Sequence, residues 1–504
     1  MNIRSYLKHD FPAAIVVFLV ALPLCLGIAL ASGVPLFAGV ISGIVGGIVV
    51  GYLSGSPVSV TGPAAGLATI VLAGVNELGF ATFLCAVVIA GVIQILAGYA
   101  NAGTLGHFFP SSVIKGMLAG IGLILILKQI PHAVGYDIDF EGDESFLQVD
   151  DQNTFSDLFK ALRYITPGAI VISLISIFIL SVWNNNVLQR YKFFRKMPAA
   201  LIVVLIGILL NTIFQQWLPF FAIEEKHLVS VPVLSNETSL LSFFTFPDFS
   251  QLFNQKIILT AFTIAAVASL ETLLNIEATD KLDRYHRVTP LDRELKAQGV
   301  ANIFAGLIGG LPVTSVVVRS SANVQAGGRT KASTITHGFI LLLSVLLVPQ
   351  LLRLIPLSAL AGILIVTGYK LTKPVLFKEM YRCGWAQFIP FVVTLAAIVF
   401  TNLLLGVFIG LMAAVFFILK TNFQEAVIMV NDNDHFLIKF TKDVSFLHKS
   451  TLRKLFDKIP PDATVTIDGT QSHFIDYDIR EMIKDYIEIS KTKNINVQLK
   501  HLSL

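Results

Sequence analysis

Long apolar stretches recur along most of the chain, and they limit its fold more than any other feature. Of 504 residues, 54% are hydrophobic and only 14% are charged, a composition outside the range of soluble domains. A helix needs about 20 mainly apolar residues to cross the hydrocarbon core of a bilayer. The sequence therefore predicts an all-α, polytopic membrane domain of about 14 spans. The stretches lie near residues 12–31, 36–53, 62–73, 80–100, 112–131, 165–184, 197–215, 257–276, 296–311, 314–326, 333–350, 356–370, 384–402 and 403–420.

One part of this pattern, QGVANIFAGLIGGLPVTSVVVRSSANVQAGGR at residues 298–329, is interrupted where a membrane helix should continue. It contains Gly309, Gly310 and Pro312, and Arg319 follows soon after. Backbone groups without helical partners are tolerated at membrane depth only where protein buries them or water reaches them. Charged residues at that depth usually face such a cavity. The interruption therefore predicts a pocket inside the membrane domain.

A second interruption, SVTGPAAGLA at residues 59–68, occupies the matching place in the first half of the chain. Each interrupted stretch is third in a set of seven, the pattern of seven-plus-seven inverted repeats that build a midplane site from two half-helices. Proline suits the first turn of a helix, so Pro63 and Pro312 would each begin one. Two facing helix N-termini, with Arg319 beside them, predict an anion site. A bundle of merely kinked helices is the alternative.

Glu271 lies in a largely apolar run, TIAAVASLETLLNIEA at residues 263–278. A charge at the centre of a membrane helix costs about 2.5–3.5 kcal/mol on an insertion scale. We therefore expect Glu271 to face the cavity or to be paired. It could pair with Arg319, carry a proton, or bind a coupling Na⁺ together with Asn275 one turn away. A purely structural ion pair is the fourth interpretation.

Basic residues are concentrated in the connections after the sixth, tenth and twelfth stretches. They are Arg190, Lys192, Arg195, Lys196, Arg329, Lys331, Lys373, Lys378 and Arg382. An even number of spans places both termini on one side, which the positive-inside rule makes cytoplasmic. The acidic connection at residues 137–157 falls on the opposite face; we expect a solvated loop there, and a cation site is the alternative. The first apolar stretch is too long for a signal peptide, so we interpret it as the first span.

From about residue 432 the composition changes, and charged residues become frequent. Short strand-like runs, such as FLIKF and VTIDG, alternate with helical runs, such as YDIREMIKDYIEISK. This alternation predicts a small cytoplasmic α/β domain. We place the transmembrane domain at residues 1–424 and the small domain at residues 425–504. A domain this short is expected to pack against a partner or the membrane domain.

Several ordered motifs match one known family. They are ALP at residues 21–23, SVTGP at 59–63, DRELKAQGVANI at 292–303, GGLP at 309–312, RSSAN at 319–323 and GGRT at 327–330. In these motifs the chain resembles the SulP anion permeases, also called solute carrier family 26. The resemblance implies a homodimer of inverted-repeat transporters in which a core domain moves against a gate domain. It also implies that the C-terminal domain is STAS-like and binds a cytoplasmic protein partner.

The resemblance also implies where the site lies. The substrate-binding residues would be Ala64, Ala65, Gly66, Thr314, Ser315, Val316, Val317 and Arg319. Glu271 occupies the position of an acid that bacterial relatives use for Na⁺ or H⁺ coupling. Many members have Gln where Leu24 and Cys25 follow the Leu-Pro of the first helix, so binding here would depend more on backbone dipoles. Tyr477 stands near the place of a phosphorylated Ser in related antagonist proteins, so we do not expect a phosphoserine switch.

These observations together predict a secondary active transporter of a small inorganic anion and not an enzyme. We expect bicarbonate, with Na⁺ coupling, or sulfate, carried by an elevator-like alternating-access cycle in a bacterial inner membrane. The alternatives are an H⁺-coupled nucleobase symporter of the same fold, an uncoupled anion channel or exchanger, and a membrane-anchored scaffold. The net charge of +4 is small for this length and does not bear on nucleic-acid binding; we expect no nucleic-acid partner. Cys25, Cys85 and Cys383 lack the spacing of metal ligands, so we expect no cofactor beyond a coupling Na⁺ or H⁺.

Overall fold

A computed structural model describes most of the chain. The described residues are 6–137, 146, 153–183, 197–230, 244–251, 254–424, 426–432 and 434–502. Two predictions therefore fall wholly or mostly outside them. The basic connection at residues 190–196 is not described, and only a small part of the acidic connection at residues 137–157 is described.

In the described part of the chain, one helix corresponds to each of the fourteen predicted stretches. They are α1 (Phe11–Ala31), α2 (Leu36–Leu53), α3 (Ala65–Leu78), α4 (Phe80–Tyr99), α5 (Ser111–Val134), α6 (Pro167–Trp183), α7 (Ala199–Trp217), α8 (Gln255–Leu282), α9 (Leu291–Ile308), α10 (Val317–Gln325), α11 (Lys331–Leu347), α12 (Leu357–Leu371), α13 (Trp385–Phe400) and α14 (Leu403–Gln424). Seven of the described helices are long and apolar enough to cross a membrane. This confirms the predicted all-α polytopic domain.

Short helical segments connect several of these helices. They are Tyr6–Asp10, Ala102–Phe108, Thr154–Ala161, Pro219–Phe221, Glu225–His227, Phe249–Gln251, Pro349–Leu352 and Pro374–Arg382. Prolines set several helix starts, since Pro110, Pro198 and Pro356 directly precede α5, α7 and α12. Gly309 ends α9 at φ 87°, a left-handed conformation that only glycine adopts without strain. The predicted interruption therefore begins with a helix stop.

Small residues let the helices of the membrane domain approach closely. Gly91 of α4 and Gly299 of α9 face each other, and a Cβ on either would lie 2.5 Å from the carbonyl oxygen of the other. Such backbone contact is typical of helix packing in membranes, where dispersion and not hydrophobic burial drives association. A side chain at either position would force α4 and α9 apart.

Two short strands form the centre of this domain. They are β1 (Thr61–Pro63) and β2 (Val313–Ser315), and every residue in both is buried. The strands pair antiparallel, with Thr61 opposite Ser315 and Pro63 opposite Val313. β1 leads into α3 and β2 leads into α10, so each interruption is an extended segment followed by a half-helix. The two interruptions predicted from the sequence are therefore in direct contact.

The chain divides into two compact units, residues 1–411 and 412–504, within α14. The second unit contains β3 (Val427–Asp432), β4 (His435–Phe440), β5 (Thr464–Asp468), β6 (Asn496–Lys500), the turn Phe446–His448 and two helices, α15 (Lys449–Phe456) and α16 (Tyr477–Thr492). Its sheet has the order β3-β4-β5-β6, with an antiparallel β3–β4 hairpin and parallel pairs thereafter. Parallel neighbours need crossover connections, which α15 and α16 supply. This is the small α/β domain predicted from the sequence.

Candidate functional site

The two half-helices begin without any side-chain cap. Ala64 precedes α3 and Val316 precedes α10, both in extended conformation, and neither side chain can accept a hydrogen bond from the first turn. The first N–H groups of a helix have no partner within the helix, and together they form the positive end of its dipole. Both helix starts therefore offer donors to an anion.

A small cavity lies at these helix starts. Ala64, Ala65, Val316, Val317 and Arg319 line it, as do Glu271 and Asn275. These are seven of the ten residues predicted for the substrate and the coupling ion. Its volume is about 20 Å³, which is enough for about one water molecule. The cavity in this conformation is therefore narrower than a polyatomic anion needs.

The other three predicted residues do not line the cavity but lie behind it. Gly66 is in the first turn of α3, and Thr314 and Ser315 are fully buried in β2. The hydroxyl oxygens of Ser315 and Ser59 are 2.8 Å apart, and the Thr314 hydroxyl donates to the carbonyl of Ser315 at 3.2 Å. The Ser315 hydroxyl therefore joins β2 to the segment before β1, whereas the Thr314 hydroxyl bonds within β2.

Arg319 is fully buried, and its guanidinium lies along β1. Its Nη2 donates to the carbonyl of Pro63 at 3.3 Å, and a Cβ on Gly62 would lie 1.8 Å from its Nη1. The thiol of Cys25 is beside the same guanidinium. Among the described residues, the Nε and Nη1 donors of Arg319 have no hydrogen-bond partner. Buried charged donors are costly to leave unsatisfied, so the guanidinium is available to an anion.

Glu271 faces the cavity from α8. Its side chain is buried, and its two carboxylate oxygens would lie 3.1 and 3.2 Å from a Cβ on Gly66. The carboxylate therefore lies against the first turn of α3, where the helix dipole favours a negative charge. Glu271 therefore lies at the wall of the cavity, beside one of the two helix starts.

Asn275, one turn after Glu271, connects α8 to β2. Its Nδ2 donates to the carbonyl of Ser315 at 2.6 Å, while its Oδ1 is buried and has no hydrogen-bond partner among the described residues. An amide oxygen next to a carboxylate is the kind of oxygen ligand that a hard cation binds. The pair could therefore contribute two oxygen ligands to a Na⁺ ion.

Two amide side chains of α9 hold the strands, and the sequence analysis did not assign them a role. Asn302 accepts from the N–H of Val313 at 2.6 Å and donates to its carbonyl at 3.2 Å. Gln298 donates to the Thr61 hydroxyl at 2.8 Å and to the Glu294 carboxylate at 3.0 Å. A signal was present, because Glu294, Gln298 and Asn302 are four residues apart and thus share one helix face.

α10 also fixes the segment that precedes β1. The Asn323 Nδ2 donates to the carbonyl of Val58 at 2.8 Å, and the Ser320 hydroxyl accepts from the N–H of Val60 at 2.9 Å. The Val316 N–H donates to the carbonyl of Val60 at 3.0 Å. The two halves of the chain therefore form one hydrogen-bonded unit around the cavity.

Three further residues named in the sequence analysis have clear positions. Leu24 lines the cavity, so an apolar side chain occupies the place where many SulP members were expected to have Gln. Cys25 is next to it and fully buried. In the second unit, Tyr477 is the first residue of α16 and is 75% exposed, and Asp476 caps that helix by accepting from the N–H of Asp478.

Comparison with known proteins agrees with this architecture. A putative sulfate transporter of Bacillus subtilis, YvdB, is 27% identical over 88% of this chain and 79% of its own length. The bicarbonate transporter BicA of a Picosynechococcus species is 27% identical over 73% of this chain and 61% of its own length.

Solved structures show the same fold. The transmembrane domain of a cyanobacterial bicarbonate transporter, BicA, aligns with a TM-score of 0.54 at 22% identity, covering 82% of this chain and 98% of that one. The overall structure of SLC26A9 aligns with a TM-score of 0.69 at 17% identity, covering 100% of this chain and 86% of that one. The sequence model of the sulfate permease family matches residues 7–394. The chain therefore belongs to the sulfate permease (SulP) family of multi-pass membrane transporters and is an anion transporter, not an enzyme.

Proposed function

We propose that this protein is a secondary active transporter that carries bicarbonate together with Na⁺. The observation that carries the proposal is the meeting of two uncapped helix starts, at Ala65 and Val317, with the partly unsatisfied guanidinium of Arg319 and the carboxylate of Glu271. The first three features attract an anion. The fourth supplies a negative charge that a cation can neutralise.

The walls of the cavity favour a small monoanion. Leu24, Ile28 and Ile121 line it with apolar side chains, so the donors are backbone N–H groups and one guanidinium. A dianion such as sulfate has a larger hydration free energy to replace, and few donors are available to replace it. Bicarbonate carries one charge and is smaller. Some relatives are named as bicarbonate transporters and others as putative sulfate transporters, so sulfate is the second candidate.

Charge balance supports coupling to a cation. Arg319 and Glu271 together are neutral when ionised, so a bound bicarbonate leaves the site with one net negative charge. A Na⁺ ion held by Glu271 and the Oδ1 of Asn275 restores neutrality. A neutral site crosses the membrane potential without the cost of about 2.3 kcal/mol per charge per 100 mV. A proton on Glu271 would give the same balance, and H⁺ is therefore the competing coupling ion.

The position of the cavity is consistent with an elevator-like cycle. α3, α8 and α10 supply its polar groups and α1 adds apolar side chains, whereas α5 and α14 contribute only the apolar Ile121 and Leu403. An apolar wall makes no directional bond with the site, so the site-bearing helices can slide along it. In this proposal the protein works as a homodimer in a bacterial inner membrane, with both termini cytoplasmic. The C-terminal unit, residues 412–504, would bind a cytoplasmic protein.

Uptake into proteoliposomes tests the proposal. Purified protein is reconstituted, and uptake of radiolabelled bicarbonate, sulfate and uracil is followed with an inward Na⁺ gradient, with an inward H⁺ gradient and with neither. We expect saturable bicarbonate accumulation that requires Na⁺. Sulfate accumulation without bicarbonate uptake would show that sulfate is the substrate, and uracil uptake would identify a nucleobase symporter. An anion current without accumulation of the anion would identify a channel. No flux at all would indicate a membrane-anchored scaffold.

A further inference from the structure

A second, larger cavity lies away from the anion site and shares no lining residue with it. Its volume is about 250 Å³. It is enclosed by the first turns of α1 and α7 and by the last turns of α6, α10 and α12, so it opens at the face where the N-terminus lies. Under the proposed orientation this face is cytoplasmic. The assignment of this cavity to the cytoplasmic face rests on the proposed function.

The polar part of the cavity is basic. Lys8, His9 and Lys370 line it, and its described lining residues include no Asp or Glu. The neighbouring Asp10 points elsewhere, because its carboxylate accepts from the N–H groups of Arg329 and Thr330 at 2.7 and 2.9 Å. Neither lysine has an ion-pair partner among the residues that the structure describes. Within the described part of the chain, no carboxylate therefore forms an ion pair with either ammonium group.

The start of α7 adds to this positive potential. Pro198 precedes the helix without a side-chain cap, and Pro198, Ala199 and Ala200 all line the cavity. The positive end of a 19-residue helix therefore adjoins the same space as the lysines. An anionic group is the ligand that matches both features.

The rest of the lining is apolar. Trp183, Met197, Val16 and Ile363 form much of the wall, and Trp183 is buried. A hydrated inorganic ion gains nothing from such a wall, whereas the glycerol and acyl part of an amphiphile does. Basic pockets between transmembrane helices on the cytoplasmic side commonly hold anionic lipid headgroups. The cavity has both parts of such a pocket.

We propose that this cavity binds the phosphodiester headgroup of an anionic phospholipid from the cytoplasmic leaflet, with Lys8 and Lys370 on the phosphate and Trp183 against the apolar part. A bound lipid would contact α1 and α10, which carry the anion site, and also α6, α7 and α12, which do not line it. It would therefore connect the moving helices to the others and change the rate at which they exchange positions.

Quenching of Trp183 fluorescence tests the proposal. The chain has three tryptophans, so Trp217→Phe and Trp385→Phe leave Trp183 as the only one in the full-length protein. The protein is placed in vesicles of phosphatidylcholine. Either phosphatidylglycerol or phosphatidylcholine is then added, in each case with brominated acyl chains. We expect brominated phosphatidylglycerol to quench the Trp183 fluorescence at a lower mole fraction than brominated phosphatidylcholine does. Lys370→Gln should reduce this preference about fivefold, since one basic residue near a membrane contributes about 1 kcal/mol.

Lys373→Gln is the matched control, because it removes the same charge from the same face at an exposed residue outside the cavity. It should leave the preference unchanged. Equal quenching by the two lipids, or equal effects of the two substitutions, would overturn the proposal. Inorganic phosphate and unbrominated phosphatidylglycerol are also added as competitors of the brominated lipid. If phosphate relieves the quenching as effectively as the lipid does, the site recognises free phosphate and the proposal is overturned. The readout is binding, so it does not depend on whether bicarbonate is transported.

Discussion

The carboxylate of Glu271 lies against the Cα of Gly66, close enough that a Cβ at this position would be 3.1 Å from Oε1. Gly66 belongs to the first turn of α3, and Glu271 lies on α8 near its middle. This approach places a negative charge beside one of the two helix dipoles that would bind the anion. The proposed coupling of anion and cation depends on this short separation.

Glu271→Gln should abolish Na⁺-driven accumulation while the protein still folds and still binds its anion. Gln has nearly the same shape but cannot neutralise a cation, so the loaded site would keep its net negative charge. Uptake with and without a Na⁺ gradient measures this. Glu277→Gln is the control on the same helix, because Glu277 is paired with His107 at 3.2 Å and lies outside the cavity. Na⁺ dependence that is unaltered in the Glu271 variant would exclude the coupling role.

Arg319→Gln should weaken anion binding by roughly tenfold to a hundredfold, because a hydrogen bond to a charged group contributes about 1.5–3 kcal/mol. Gly62→Ala should act similarly without removing the charge, since its Cβ would be 1.8 Å from Nη1 and would displace the guanidinium. The substrate concentration for half-maximal uptake measures both effects. Arg382→Gln, at an exposed helix end, is the control. Normal affinity in the two site variants would remove Arg319 from the binding site.

Leu24→Gln should shift selectivity from bicarbonate towards sulfate. The substitution adds an amide donor to a cavity wall that is now apolar, and a dianion gains more from an added donor than a monoanion does. The ratio of sulfate to bicarbonate uptake in competition measures the shift. Leu30→Gln, at a 54% exposed position of the same helix, should leave the ratio unchanged. A lower ratio of sulfate to bicarbonate uptake in the Leu24→Gln variant would contradict the proposed geometry.

Asn302→Ala should lower both stability and anion affinity, although Asn302 does not line the cavity. It leaves the N–H of Val313 without its partner at 2.6 Å, and an unsatisfied buried donor costs about 1–3 kcal/mol. β2 would then be less well fixed, and α10 follows it directly. Thermal unfolding in detergent and uptake kinetics measure the two effects. Asn302→Asp keeps the acceptor for Val313 and should recover part of the affinity; no recovery would show that the acceptor is not the important group.

The stability of the C-terminal unit should depend on Asp468 at acidic pH. Hydrogen bonds from Thr470, with the nearby Lys500, lower the pKa of Asp468 to about 2 from an ordinary 3.8. The ionised form is thus favoured by folding, so its contribution is complete above pH 3.8 and is lost as the pH falls towards 2. Asp468→Asn should lower the unfolding temperature of this unit at neutral pH and flatten that acid dependence. The same acid dependence in both proteins would assign it to other groups.

Much of the membrane domain could be predicted from the sequence because the bilayer sets strict local rules. An apolar stretch must be helical to pair its own backbone groups, so each predicted stretch corresponds to a helix. The same rule made the interruptions at Gly62 and Gly309 informative, since unpaired backbone groups at that depth require an interior site. The cost of a charge in an apolar helix likewise predicted that Glu271 faces the cavity or is paired, and Glu271 is one of the residues that line the cavity.

The side-chain partners were decided only by the tertiary structure. Thr61 pairs with Ser315 across more than half of the chain, and Asn302 binds Val313 through both its amide atoms. The sequence indicated that amides lie on one face of α9, but an amide can donate to or accept from almost any polar group. Which group it meets depends on how distant segments pack.

Thr314 and Ser315 show the same limit. The family resemblance implied contact of both residues with the anion, and the structure adds that their hydroxyls meet Ser59 and the carbonyl of Ser315. The sequence by itself determined that a chain of membrane helices contains two broken segments and an acid, Glu271, in an apolar run, because each of these is a local matter of length, composition and charge. Only the folded structure determined which atoms face one another, because β1, β2, α8 and α9 come together from separate parts of the chain.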